Sequence, residues 1–175
     1  MNESNTNTDP RITLRNATID DVPLILDFIR QLADYEKMTA EVVADEATLR
    51  ASLFEGRRVA EVVIASYDGV PVGFAVFFHN FSTSLGRNGI YLEDLFVVPE
   101  MRGKGVGQVL LSHLAKIALE RGGGRFEWSV LDWNVDAISF YERLGAKAMD
   151  GWTTYRVTGD VLEKLARTSR STFER

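Results

Sequence analysis

The chain has 175 residues, 45% hydrophobic and 26% charged, a size and balance suited to one folded domain with a real core. Its net charge of -5 argues against a nucleic-acid partner, and no apolar run reaches the roughly 20 residues that span a bilayer, so no membrane insertion is expected. There is no cysteine, and the histidines are only His79 and His113. That excludes disulfides, a cysteine nucleophile and the usual zinc sites, so no metal is expected and chemistry falls to Asp, Glu, Tyr, Ser and the backbone.

Residues 1–10 read as a disordered polar tail without the basic start and apolar stretch of a signal peptide, which points to the cytoplasm. Ile12 to Asn16 alternates like a short strand, and Thr18 with Asp21 forms a capping box for a helix whose apolar stripe is Val22, Ile25, Ile29 and Leu32. A short helix follows from Asp45 to Phe54, stopped at Gly56. Strands are expected over Val59 to Tyr67 and Val72 to Phe78, joined at Asp68-Gly69, a hairpin dipeptide. Asn80 to Asn88 reads as a polar loop before a strand that carries Glu93 and Asp94. After Pro99 and a glycine-rich turn, Val106, Leu110, Leu114, Ile117 and Ala118 mark one face of a helix that Arg121-Gly122-Gly123-Gly124 ends. A strand near Phe126 to Leu131, a helix capped by Asn134 and closed at Gly145, a strand near Thr153 to Val157 and a helix from Asp160 to Ala166 complete the order, with a polar tail over 168–175. The expected fold is α/β (α+β), a single domain over 11–167 with a mixed, mostly antiparallel sheet flanked by helices.

The most informative segment runs from Tyr91 to Gly107, where a strand bearing two acids leads through a glycine turn into a helix N-terminus, a natural anion cradle. Two nucleotide fingerprints fail there. The dinucleotide pattern needs glycine where Gln108 stands, and the P-loop needs glycine where Val98 stands. What is left is Arg-x-x-Gly-x-Gly over Arg102 to Gly107, which by itself is equally compatible with a structural turn. Neighbours on a regular strand face opposite ways, so Glu93 and Asp94 reach one cleft together only through a bulge.

This turn, together with Leu32-Ala33-Asp34-Tyr35-Glu36-Lys37-Met38, Tyr91 to Val97, Trp133-Asn134, Phe140-Tyr141 and Gly145-Ala146, resembles the GNAT family of N-acetyltransferases. Within it the chain is similar to the diamine (spermidine/spermine) and thialysine acetyltransferase subgroup, over about Ile12 to Ala166. The resemblance implies a GNAT fold, acetyl-CoA as cosubstrate, and direct attack by a small primary amine in a ternary complex. It implies that backbone of Leu95, Phe96 and Val97 receives the pantetheine arm, and that Arg102, Gly103, Lys104, Gly105, Val106, Gly107 and Gln108 hold the pyrophosphate. Asn134 has two compatible roles, helix N-cap and cofactor hydrogen bond. Tyr141, one turn after Ile138, is either a core aromatic or, by the resemblance, the general acid that protonates the departing thiolate. A phenol suits that task, because near pKa 10 it keeps its proton at neutral pH. By the same resemblance Glu93 would take the proton of the substrate ammonium and ranks above Asp94 as a substrate contact, while Tyr35, Glu36 and Asp94 are the other substrate-binding expectations; Tyr35 and Glu36 are equally compatible with a solvated helix end. A homodimer is also implied.

The sequence departs from the subgroup at Leu131-Asp132, Asp136, Glu127 and Ser129, all near the expected acceptor cleft. The segment from Phe81 to Gly89 lacks acids and carries Arg87, which disfavours a polycation and favours a diamine or a thialysine-like lysine analogue. The rival functions are acetylation of protein lysines or N-termini, and a non-catalytic acyl-CoA-binding regulatory module.

Overall fold

The computed structural model describes residues 9–168. The expected tails at 1–8 and 169–175 lie outside the described residues. Asp9 takes part in the ordered chain ahead of the expected boundary at residue 11, accepting hydrogen bonds from the Arg11 side chain and from the Tyr67 hydroxyl, the latter at 3.3 Å.

The strands are β1 (Ile12–Asn16), β2 (Glu61–Tyr67), β3 (Val70–Ser82), β4 (Arg87–Val97) and β5 (Phe126–Trp128), and the helices are α1 (Val22–Tyr35), α2 (Glu46–Leu53), α3 (Val106–Glu120), α4 (Val135–Arg143) and α5 (Gly159–Arg167). They form one sheet in the order β1-β2-β3-β4-β5, antiparallel except for the parallel β4–β5 pair that α3 connects. The α/β class and the mixed, mostly antiparallel sheet are as expected. The sheet with α1 to α3 belongs to one compact unit ending at Ser129, and α4 and α5 belong to another beginning at Val130.

Local sequence explains most element boundaries. The Thr18 backbone N–H donates to the Asp21 carboxylate at 2.7 Å, opening a short turn that feeds α1. Asp45 accepts from the Thr48 N–H at 2.8 Å and caps α2. At the β2–β3 hairpin Asp68 and Gly69 both have positive φ, 49° and 80°, the pair of left-handed residues that a tight hairpin turn needs.

The α1 stripe is wider than its sequence periodicity implies. Phe28 joins Ile25 and Leu32 in the core, packing against Phe74 and Phe96 at centroid distances of 5.4 and 5.8 Å, while Ile29 is only partly buried. With Leu53, Val62, Ile64 and Val76 these residues form the core on the face that α1 and α2 cover. The opposite face carries Phe77, and the guanidinium of Arg121, which caps α3, lies 5.9 Å from that ring and pairs with Glu61.

Three expectations about strands are corrected. Residues 80–88 are mostly strand rather than loop, because Asn80, Phe81 and Ser82 continue the ladder against Gly89, Asn88 and Arg87. Polar side chains leave main-chain pairing available, so polarity alone did not mark a break. The β5 ladder stops at Trp128, short of Leu131. Thr153 to Val157 forms no strand among the described residues, since a β-propensity stretch without a ladder partner has nothing to satisfy its backbone except water, and Tyr155 is 93% exposed.

Asp21 also anchors Arg15 through two hydrogen bonds of 2.6 and 2.7 Å, which hold its carboxyl well below the usual range, at about 2. A depressed folded pKa contributes stability above the unfolded value that is lost as pH falls through about 2. Asp21→Asn should therefore cost about 1 kcal/mol at pH 7 after allowance for the half-exposed arginine, and close to nothing at pH 2. Thermal melts at the two pH values check this; an equal loss at both would assign the effect to packing.

Candidate active site

One irregularity in β4 organises the site. Asp94 pairs with Val76 and Leu92 pairs with Phe77, so Glu93 is an extra residue with no partner on β3. This is a β-bulge, and it interrupts the in-out alternation. On one side of it Asp94 and Phe96 share the α1 face with Val76 and Phe74; on the other, Gly89 and Tyr91 share that same face through their partners Asn80 and Phe78. Without the bulge Tyr91 and Asp94 would face opposite ways.

The charges of Glu93 and Glu36 both act on the Asp94 carboxyl at the bulge. Asp94 is half-buried, and its carboxyl is pushed up to about 6, chiefly by desolvation and then by the charges of Glu93 and Glu36. Glu36, at the C-terminal cap of α1, is itself raised by burial. Glu93 is exposed. Among the described residues no group of three His, Cys, Asp or Glu side chains could hold a metal ion, so these acids repel one another without forming a chelate. The arrangement stores negative potential beside one protonatable group, which favours a cation and gives it a proton acceptor tuned toward neutrality.

The same strand offers an open edge. β5 pairs with β4 from Ile90 as far as Leu92, so among the described residues the outer edge of β4 from Glu93 to Val97 has no strand beside it. An extended amide-bearing chain can add there as another strand. Phe96 fixes this segment by burying its ring, while Leu95 and Val97 are half-buried.

Beyond the edge, the turn enters α3 through Gly105, whose φ of 88° is left-handed and whose lack of a side chain leaves the first N–H groups of the helix without a side-chain cap. Gly103 is left-handed too, and a Cβ at either glycine would meet nothing within 4 Å, so the turn borders open space. Val106 is buried as the helix anchor and Gln108 is exposed in the first turn. These residues fit a pyrophosphate: bare N–H groups, the positive end of a 15-residue helix, and room.

Two side chains expected at the anion are engaged elsewhere. The Arg102 guanidinium lies 4.5 Å from the Tyr35 ring centroid, and its Nε donates to the Val97 carbonyl at 3.0 Å. Both residues line a cavity of about 440 Å³ with Arg30, Gln31, Asp34, Phe96 and Pro99. Lys104 Nζ sits 3.6 Å from Met101 Sδ and 5.6 Å from the Tyr67 ring. The turn therefore presents backbone to an anion, with its cations turned toward aromatic and sulfur neighbours.

In the unit beginning at Val130, Asn134 caps α4 as expected, its side chain accepting from the Ala137 N–H at 3.3 Å. Tyr141 lies on α4, half-buried, with its ring 5.4 Å from that of Phe140.

The face that carries Tyr91 brings Asn80 and Arg125, which the sequence does not mark, together with Glu127 and Ser129, which stand near the expected acceptor cleft. Asn80 Nδ2 donates to Glu127 at 2.7 Å, Arg125 lies 2.8 Å from the same oxygen, and the Tyr91 hydroxyl contacts Ser129 at 2.8 Å. Alternation along β3 to β5 is the signal that could have grouped them, and the bulge is what adds Asp94 to their face.

Comparison with known proteins fits this geometry. The profile of the acetyltransferase (GNAT) family matches residues 27–146, more than half of the chain. The chain belongs to the GNAT acetyltransferase family. This GNAT protein is 36% identical over 166 residues to the thialysine N-epsilon-acetyltransferase of Sus scrofa, covering 89% of this chain and 97% of the relative. It is 34% identical to the L-ornithine N5-acetyltransferase of Arabidopsis thaliana, covering 87% and 86%. Among solved structures, an integron cassette protein from the mobile metagenome of V. cholerae superposes with a TM-score of 0.76 at 26% identity, covering 91% of this chain and 99% of that one. This GNAT protein is an acetyl-CoA-dependent N-acetyltransferase.

Proposed function

We propose that this GNAT protein acetylates a small primary amine, a diamine or a lysine-like amino acid, by direct attack in a ternary complex. The observation that carries the proposal is the acidic bulge at the start of the open β4 edge, where Glu93 stands beside Asp94, whose carboxyl is pushed up to about 6 by burial and by the charges of Glu93 and Glu36. Relatives named for thialysine and L-ornithine, both ω-amino compounds, support it.

When bound, acetyl-CoA supplies an activated thioester acyl group. Leu95, Phe96 and Val97 would align its arm through main-chain hydrogen bonds, and the turn from Arg102 through Gln108 would hold its pyrophosphate through backbone N–H groups. Glu93 meets the incoming ammonium at the surface, and Asp94 receives its proton, since a base near pKa 6 is ionised at neutral pH yet accepts a proton more readily than an ordinary carboxylate. Juxtaposition supplies the larger part of the acceleration and proton transfer the remainder. Tyr35 contributes a wall of the cavity beside Arg102. In this proposal Tyr141 gives its proton to the departing thiolate and Asn134 adds a cofactor hydrogen bond to its capping role, assignments that rest on family resemblance and on the chemistry of a phenol and an amide. The protein is further proposed to act in the cytoplasm as a homodimer, which light scattering at micromolar concentration would test.

The direct test follows CoA thiol release with acetyl-CoA and a panel of diamines, lysine analogues and peptides. Release that depends on a free small amine and is at least about tenfold faster than with peptides is expected. Equal rates with peptides would move the function to protein acetylation, and no release with any acceptor would leave a binding module.

A further inference from the structure

The groove side of β3, β4 and β5 ends in a second charged group, distinct from the acidic bulge and of mixed sign. Gly89 creates it. A Cβ there would sit 2.5 Å from Asn80 Oδ1 and 2.7 Å from Arg125 Cγ, so both side chains lie across the bare glycine on the face that Tyr91 shares. Arg125 spans from the start of β5 over β4 to donate from Nη2 to the Phe81 carbonyl at 3.2 Å, and its Nε lies 2.8 Å from Glu127 Oε2, which also accepts from Asn80 Nδ2 at 2.7 Å.

This cluster is held in place but not saturated. Every contact goes to one carboxylate oxygen of Glu127, leaving Oε1 as an unused acceptor, and Arg125 Nη1 is an unused donor among the described residues. Asn80 Oδ1 is buried without a hydrogen-bond partner, and so is Arg125 Nε, whose approach to Glu127 is an ion pair without the alignment of a hydrogen bond. Buried groups in this condition favour a ligand that completes them. The complement of one free cationic donor, one free anionic acceptor and one buried amide oxygen is a carboxylate beside an ammonium. A plain diamine or polyamine would present only a second ammonium, which Glu127 could meet but which would leave Arg125 beside it without an anion.

Building on the proposed acceptor site, we infer that Arg125, Glu127 and Asn80 form a headgroup subsite that selects a zwitterionic α-amino acid bearing an ω-amine over the corresponding diamine. Arg125 takes the α-carboxylate, and Glu127 with Asn80 takes the α-ammonium. Glu127 stands opposite Tyr91 in the parallel register, and the β3 partner of Asp94, Val76, is two positions from Phe78, the partner of Tyr91, because the bulge absorbs Glu93, so headgroup and proton acceptor are separated by about 7 Å at a strand rise of about 3.3 Å. An extended side chain of about three or four carbons between α-carbon and amine bridges that distance. The aromatic pair Phe78 and Tyr91, 5.2 Å between centroids, lies along the path and suits a methylene chain.

The test compares kcat/KM for L-ornithine and L-lysine with that for putrescine and cadaverine, which lack only the carboxylate, in the parent protein, Arg125→Gln, Arg125→Lys and Glu127→Gln. The expected result is a preference for the amino acids that Arg125→Gln reduces by roughly 10–100-fold through KM rather than kcat, and that Arg125→Lys partly restores. L-norvaline, with the headgroup but no ω-amine, should inhibit the parent competitively against L-ornithine and lose that inhibition in Arg125→Gln. Melting curves identify any variant that fails to fold, in which case norvaline inhibition of Glu127→Gln decides. Equal use of amino acids and diamines by the parent, a loss that is alike for both classes, or unchanged norvaline inhibition in the variants would overturn the subsite while leaving small-amine acetylation intact. Acetylation of neither class would overturn the functional reading and the subsite together.

Discussion

Replacing Asp94 by asparagine is expected to stabilise the fold above pH 6 while removing the acid limb of kcat/KM near that pH. Folding raises this carboxyl from 3.8 to about 6, so the folded protein binds the proton more tightly than the unfolded chain does. The contribution of Asp94 is full below about pH 4 and is lost as pH rises through about 6, where its ionised form is buried beside Glu93 and Glu36. A neutral side chain of the same shape escapes that penalty. The gain at pH 8 should be on the order of 1–3 kcal/mol, because a tenfold change in proton affinity is worth about 1.36 kcal/mol, and it should vanish at pH 4. Thermal denaturation at both values checks it; a gain that persists at pH 4 would point to packing.

Activity should move the opposite way. kcat/KM of Asp94→Asn is expected to fall by about 10²–10⁴-fold, the usual range for a general base. Glu93→Gln removes one of the charges that raise Asp94, so its acid limb should move to lower pH while KM rises. If Glu93→Gln alone abolished the limb, the proton acceptor would be Glu93, as the family resemblance implies. The opposed responses of stability and rate are what a group kept out of its preferred ionisation state for chemistry should show.

Tyr141→Phe is the second large effect. Loss of a single phenolic oxygen on α4 should lower kcat by about 10²-fold or more, because the thiolate then departs without a proton donor. Affinity for acetyl-CoA, measured by calorimetry, should stay within about threefold, since a group that acts only in the transition state adds little to ground-state binding. A comparable loss in both quantities would assign Tyr141 to packing with Phe140, whose ring lies 5.4 Å away. Hydroxylamine or another strongly nucleophilic acceptor would not rescue the variant, as the missing proton belongs to the leaving group.

Much of the framework was legible because its signals are local. Thr18 with Asp21, Asp45, the Asp68-Gly69 pair and Asn134 each act within a few residues, and each stands where the sequence puts it. The apolar faces of α1 and α3 follow from helical period, with Phe28 and Leu111 added by the width of the buried stripe. Strand limits were less legible. Asn80 to Ser82 and Arg87 to Gly89 pair despite their polarity, whereas Thr153 to Val157 stays unpaired despite its β-prone residues, because pairing depends on a partner elsewhere in the chain.

The inventory of the site is written in the sequence: a glycine turn with left-handed positions, acids next to it, no thiols, and enough ordered motifs to indicate a family. Which of these groups share a face is a property of the folded chain. The bulge at Glu93 is created by register against β3, and that one-residue slip puts Tyr91, Asp94 and Glu127 on the same side of the sheet. Folding likewise sets the Arg102 guanidinium on Tyr35 and carries Arg125 across Gly89, since the direction of a long side chain is set by the space and partners around it. Local backbone preferences are carried in neighbouring residues, while register and side-chain direction are settled by contacts between distant ones.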